Sequence, residues 1–300
     1  GGAWSFGANS AEVNNDFTIT NGTVTAPSTT LTLTNNYSNS GTLTHNSGTV
    51  TFNATSTGKT INPGTSSPFN NVNFNGSGGG WTFQTNAPTL NGDLIMIAGT
   101  LNSSVNITVN GNVQCSVTCG TINVGNTFIH SVAANRSFGT NVAVGTNWTF
   151  NNLTFDGSAN SPVVTFNGTG TGQTIVAGNL ALTKSGTALT VNDTTNNRII
   201  DVDNDISLAS GTTLQAPPSA SFTVGGSWAN AGTFTHSSGT VIFNATSTGK
   251  TINAGTASPF NNVSFNGSGG GWTVQANAAT MNGDLLMIAG TLASSVNISV

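Results

Sequence analysis

The densest cluster of chemistry-bearing side chains is Asp201-Val-Asp203-Asn-Asp205. Along one extended strand its three carboxylates would share a face, an arrangement suited to Ca²⁺ or to the paired acids that cleave polysaccharides. The rest of an EF-hand loop is missing, because Ile206 stands where that loop needs Gly and Thr212 where it needs Glu. Asp205 also aligns with Asp16, Asp93 and Asp284, each just ahead of an apolar run, so turn capping competes with metal binding. Cys115-Ser-Val-Thr-Cys119 is the one cysteine pair. Residues four apart in a strand lie about 13 Å apart, too far for a disulfide, whereas around a corner they can close. A local Cys115–Cys119 staple is expected, and it suits an oxidising compartment. Two thiols without further ligands fall short of a zinc site. His45 and His236 occupy equivalent positions in a repeat and cannot share a metal. His130 has no neighbouring Cys, Asp or Glu and reads as a polar residue at a strand end. Trp4, Trp81 and Trp272 align at one repeat position, so an exposed column could stack on sugar rings, with core or corner packing as the competing expectation. Gly-Ser-Gly-Gly-Gly before Trp81 and Trp272 reads as a flexible corner; no helix and no Lys-Ser/Thr follow to make a phosphate loop.

The elements that must position these residues are repeats. Residues 41–109 return as 232–300 at an offset of 191, with 13 mismatches in 69 positions. Gly-Thr followed by an apolar residue recurs at Gly22, Gly41, Gly99, Gly120, Gly232 and Gly290, and the spacings predict an elementary unit near 20 residues. Within a unit the apolar period is two, as in Leu31-Thr-Leu33, Val50-Thr-Phe52 and Val105-Asn-Ile107-Thr-Val109. That alternation predicts short half-buried strands, separated by Asn-Gly, Asn-Pro-Gly and Ser-Thr-Gly corners. No stretch carries helical periodicity with caps.

Only 5% of the 300 residues are charged, and the net charge of −4 offers no basic footprint for nucleic acid. No apolar run reaches the length of a membrane span. The pattern predicts an all-β fold: a parallel β-solenoid of about 20 residues per coil and about 15 coils, running as one continuous segment over 1–300. A repeated charge would sit about 4.8 Å from its own copy along such a stack, which accounts for the scarcity of charge. A tandem array of antiparallel β-sandwiches is the rival architecture.

Gly-Thr-Leu-Thr-His-Asn-Ser-Gly-Thr-Val-Thr-Phe-Asn-Ala-Thr from Gly41, with Pro-Phe-Asn-Asn-Val-Asn-Phe-Asn-Gly from Pro68, resembles the repeats of large bacterial surface proteins. These are right-handed parallel β-helices of the haemagglutinin and autotransporter-passenger type, adhesins and extracellular filaments among them. The resemblance implies secretion, surface display and a stalk, adhesive or filament role, and the open sheet edges of an uncapped solenoid lead to the expectation of self-association along a longer array. Its motifs mark architecture and no catalytic site; no cofactor is expected, and Ca²⁺ at Asp201, Asp203 and Asp205 is the one candidate ion. The alternative function is a glycan- or ice-binding module that uses Thr/Asn faces such as Thr30-Leu-Thr32-Leu-Thr34 and Thr49-Val-Thr51.

Overall fold

The computed structural model describes residues 1–115, 119–139, 146–168 and 172–300. Among the described residues every regular element is a strand, and the paired strands run parallel. They stack as a β-solenoid of about 13 turns, fewer than the 15 expected. The shortfall comes from coil length. Register partners are separated by 19 residues at Leu31↔Val50 but by 27 at Val164↔Val191, where the strands are still four residues long and the corners between them are longer. The chain divides into two compact units, Gly1–His130 with Phe138–Val142, and Ser131–Ser137 with Ala143–Val300.

In the first unit each coil contributes strands to three faces. One face stacks Leu31, Val50, Val72, Leu94 and Val113 as an inward column. A second carries Phe17, Tyr37, Ile61 and Phe83, and a third begins with Trp4, Val24 and Leu43. The second unit repeats the plan. Ile200, Phe222, Val241 and Val263 form one column, Leu180, Ile206, Trp228 and Ile252 another, and Val191, Leu214 and Phe234 a third. Alternation does this work directly: in Thr49-Val50-Thr51-Phe52 the apolar residues are buried and the threonines face outward. Like stacks on like, so Phe52 lies over Phe74 at 5.2 Å and Phe243 over Phe265 at the same distance. Each such pair adds roughly 0.5–1.5 kcal/mol beyond its buried area.

Two expectations need correction. The Gly-Ser-Gly-Gly-Gly segments are not flexible corners; they run inside the 13-residue strands Asn71–Phe83 and Asn262–Val274. A Cβ on Gly76 would stand 1.7 Å from the Ala54 carbonyl oxygen and 3.1 Å from the edge of the Trp81 ring. Glycine is there because the neighbouring backbone and an indole leave no room. The second correction concerns repeat phase. Trp4 pairs with Val24 on the third face, whereas Trp81 pairs with Lys59 and Leu101 on the second. The two tryptophans align in sequence but do not share a ladder. All faces use the same apolar-x-apolar strand, so sequence similarity can slip by one face without disturbing the pattern.

Candidate functional site

The three carboxylates of the acidic stretch do not converge. The strand ends at Val202 and the chain bends at Asp203 and Asn204, which puts Asp201 and Asp205 on different faces. Asp201 accepts the Thr223 hydroxyl of the next coil, and Asp205 Oδ1 accepts the Ser227 backbone N–H at 2.7 Å. Burial, and then the charge of Asp201, push the Asp203 carboxyl upward. Among the described residues no group of three or more His, Cys, Asp and Glu is placed to hold a metal, and Asp201, Asp203 and Asp205 are not brought together as the sequence suggested. The reason is the bend: a shared face needed one uninterrupted strand.

The alignment of Asp205 with Asp16 and Asp93 has a structural meaning. Asp16 Oδ1 accepts the Asn36 backbone N–H at 3.3 Å, and Asp93 Oδ1 accepts that of Asn112 at 2.7 Å. Each carboxylate caps the start of a strand one coil further on. Asparagines extend the series. Asn152 accepts from Asn179 N–H, Asn179 from Asp205 N–H, and Asp205 from Ser227 N–H, at 2.9, 3.1 and 2.7 Å. In the first unit Asn71 accepts from Asp93 N–H at 2.9 Å, and Asp93 passes the ladder on. In each of these bonds the acceptor lies on the earlier coil.

Cys115 and Cys119 form the expected disulfide, with an S–S distance of 2.02 Å and Cα atoms 4.9 Å apart. Both sulfurs are buried, and the intervening residues 116–118 lie outside the described residues.

The tryptophans do not make a sugar-stacking column. Trp81 and Trp272 are 0% and 1% exposed, with their rings 5.1 and 5.0 Å from Phe74 and Phe265. Core packing took them, since their strands turn this position inward. Trp4 alone of the three is exposed, at 58%.

His45 and His236 are turn residues. Their Nδ1 atoms accept the backbone N–H of Ser47 and Ser238 at 3.0 and 2.9 Å, closing turns whose central residues have positive φ. Their Nε2 atoms lie 3.5 and 3.2 Å from the carboxamide nitrogens of Asn91 and Asn282, two coils on. His130 is not at a polar strand end. It lies fully buried inside Thr121–Val132, stacked on Val109 in the core column, and its Nε2–H donates to Gly111 O at 2.7 Å.

Two polar clusters escaped the sequence reading. Desolvation pushes the Asp156 carboxyl up, but hydrogen bonds from the Ser185 hydroxyl and backbone, Thr183 and Ser131 outweigh it and hold the group below its ordinary value. Asp193 is 1% exposed and accepts the Arg198 backbone N–H on both oxygens, at 3.0 and 2.9 Å. Burial drives its carboxyl up to about 7, against the pull of that N–H and of the Arg198 charge. The Arg198 guanidinium also donates to Gly172 O. Neither cluster contains a repeated motif, so periodicity carried no signal for it. Every one of these groups is engaged in joining coils or closing corners. Compared with protein-family models, curated proteins and solved structures, the chain matches none.

Proposed function

We propose that this chain is a non-catalytic structural protein of the cell exterior, a solenoid segment that builds a rod, stalk or self-assembled filament. The observation that carries the reading is where the polar side chains are spent. The side-chain oxygens of Asp93, Asn152, Asn179 and Asp205 accept backbone N–H groups of the next coil, which is the chemistry of building a stack. The scarcity of charge fits the same role, because in-register stacking brings like charges together. The buried Cys115–Cys119 bond supports an oxidising location. The test is electron microscopy of the purified protein. Thin uniform rods with an axial repeat of about 4.8 Å are expected. Discrete globular particles lacking that repeat would overturn the proposal.

A second reading, a glycan- or ice-binding module, draws on outward hydroxyl pairs in register, such as Thr23 on Thr42 and Thr25 on Thr44. Elsewhere the outward rank changes character, with Thr51, Asn73 and Ile95 in succession. A flat ice-matching plane is therefore the weaker form of this reading, and glycan contact the stronger.

A further inference from the structure

The third face is interrupted at the same place in both near-copies. Strands Thr23–Thr25 and Thr42–Thr44 are in ladder, but the next coil supplies the loop Pro63–Pro68 in place of a strand. Proline has no N–H to give a ladder, and this loop carries one at each end. Side chains replace the missing bonds. The Ser67 hydroxyl accepts the Leu43 N–H at 2.9 Å, and the buried Asn39 amide donates to Pro63 O at 3.0 Å. The second copy rebuilds the same arrangement, with Ser258 accepting from Phe234 N–H at 3.0 Å and Asn230 donating to Ala254 O at 2.8 Å. Pairing resumes at Phe69↔Leu90 and Phe260↔Met281. The interruption persists although Pro63 has become Ala254, so it does not depend on that proline.

Each interruption leaves a groove between the loop and the strand of the following coil, with a cavity volume of about 200 Å³ in the first copy and about 160 Å³ in the second. Thr65, Pro68, Pro88, Thr89 and Asn91 line the first; Pro259, Thr280 and Asn282 repeat Pro68, Thr89 and Asn91 in the second. No charged side chain lines either groove. Hydroxyls and a carboxamide line each groove beside proline, and these volumes fall below the roughly 300–1,000 Å³ of sites for drug-sized ligands.

We propose that these paired grooves each bind one neutral sugar residue of a saccharide. In the first groove Thr65, Thr89 and Asn91 supply hydrogen bonds to ring hydroxyls and Pro68 and Pro88 take the apolar face of the ring; in the second Thr280 and Asn282 supply the hydrogen bonds and Pro259 the apolar contact, with Ala279 where the first copy has Pro88. A charged sugar is disfavoured, since nothing in the lining offsets its charge. One shallow groove binds at about millimolar Kd, and two on one chain raise avidity toward a polymer that reaches both. The inference holds whether or not the chain builds a rod.

The test uses the 300-residue chain, titrated with glucose, galactose, mannose and N-acetylglucosamine and followed by the ring C–H signals of its three histidines. His45 and His236 sit against Asn91 and Asn282, whereas His130 is buried in the core and serves as the internal control. Saturable shifts of His45 and His236 with at least one sugar, and none of His130, are expected. The Thr89→Trp, Thr280→Trp double variant fills both grooves and abolishes the shifts. Should that variant fail to fold by circular dichroism, Asn91→Ala with Asn282→Ala decides, with affinity lowered about tenfold expected. No saturable shift up to about 50 mM of any sugar, or undiminished affinity in the deciding variant, overturns the proposal.

Discussion

Replacing Gly76 by alanine is the most direct probe of how tightly the long strand is packed. The new Cβ would lie 1.7 Å from Ala54 O, and reaching even 3.0 Å requires a displacement of 3.0 − 1.7 = 1.3 Å. Ala54 is 3% exposed and follows a strand paired on both sides, with Val50 held between Leu31 and Val72. A shift of that size costs overpacking strain of roughly 1–3 kcal/mol, and breaking one buried ladder bond adds about 1–3 kcal/mol. The expected total is about 2–6 kcal/mol. Gly58→Ala is the control: its φ is +82° but nothing lies within 4 Å of the added Cβ, so only the backbone term of about 1–2 kcal/mol applies. Stacked repeats open locally, so native-state hydrogen exchange of a peptide covering 71–83 is the appropriate assay. Gly76→Ala should speed its exchange by at least about 30-fold, and Gly267→Ala, with a contact of 1.8 Å, should do the same to 262–274. A Gly76→Ala chain no more perturbed than Gly58→Ala would refute the close-packed account and restore the flexible corner.

Asp93→Ala strips the acceptor from the Asn112 N–H and should destabilise the first unit by about 1–3 kcal/mol in chemical denaturation, while Asp93→Asn should recover most of that loss. Trp81→Ala should cost about 3–5 kcal/mol in the same assay, whereas exposed Trp4→Ala should cost far less. Breaking the Cys115–Cys119 bond by a Cys115→Ser, Cys119→Ser double substitution should cost about 2 kcal/mol, the loop-closure entropy of so short a ring, read as a lower melting temperature. Asp156 has a folded pKa below its ordinary 3.8, so its stabilisation is complete above 3.8 and is lost as pH falls through the lowered value. Melts taken from about pH 5 down to pH 2 should therefore fall less steeply in Asp156→Asn. Asp193 carries the opposite sign. Its neutral form is the one burial favours, so its contribution is full below 3.8 and is lost as pH rises through about 7, and carboxyl-carbon NMR should find its midpoint near 7.

The apolar-x-apolar strands were legible because each inward residue must be apolar wherever a coil stacks, as Leu31, Val50 and Val72 show. The disulfide was legible from a separation that closes only at a corner. Coil number was not, because corners such as 63–68 add residues without adding strand, and nothing in strand periodicity registers them. The tryptophan column misled for a related reason: local similarity between Gly1–Thr25 and the Trp81 region is blind to which face a strand occupies. The acidic stretch misled because an i, i+2, i+4 spacing shares a face only while the strand continues, and this one stops at Val202. The grooves had no sequence signature at all. They arise where two coils of unequal path are laid against each other.

The ladder acceptors Asp16, Asn71, Asp93, Asn152, Asn179 and Asp205 each lie one coil before the N–H group they receive. A finished coil thus presents its acceptors already positioned, on the side from which later residues arrive. A chain emerging amino-terminus first from a ribosome or an export channel would lay each new turn onto a surface that specifies where its strands begin, and would need no downstream sequence to fix register. The stack has a direction in time as well as in space. Truncation from the carboxyl end leaves these acceptors in place on the last turn that is kept, whereas truncation from the amino end takes them away from the first turn that is kept.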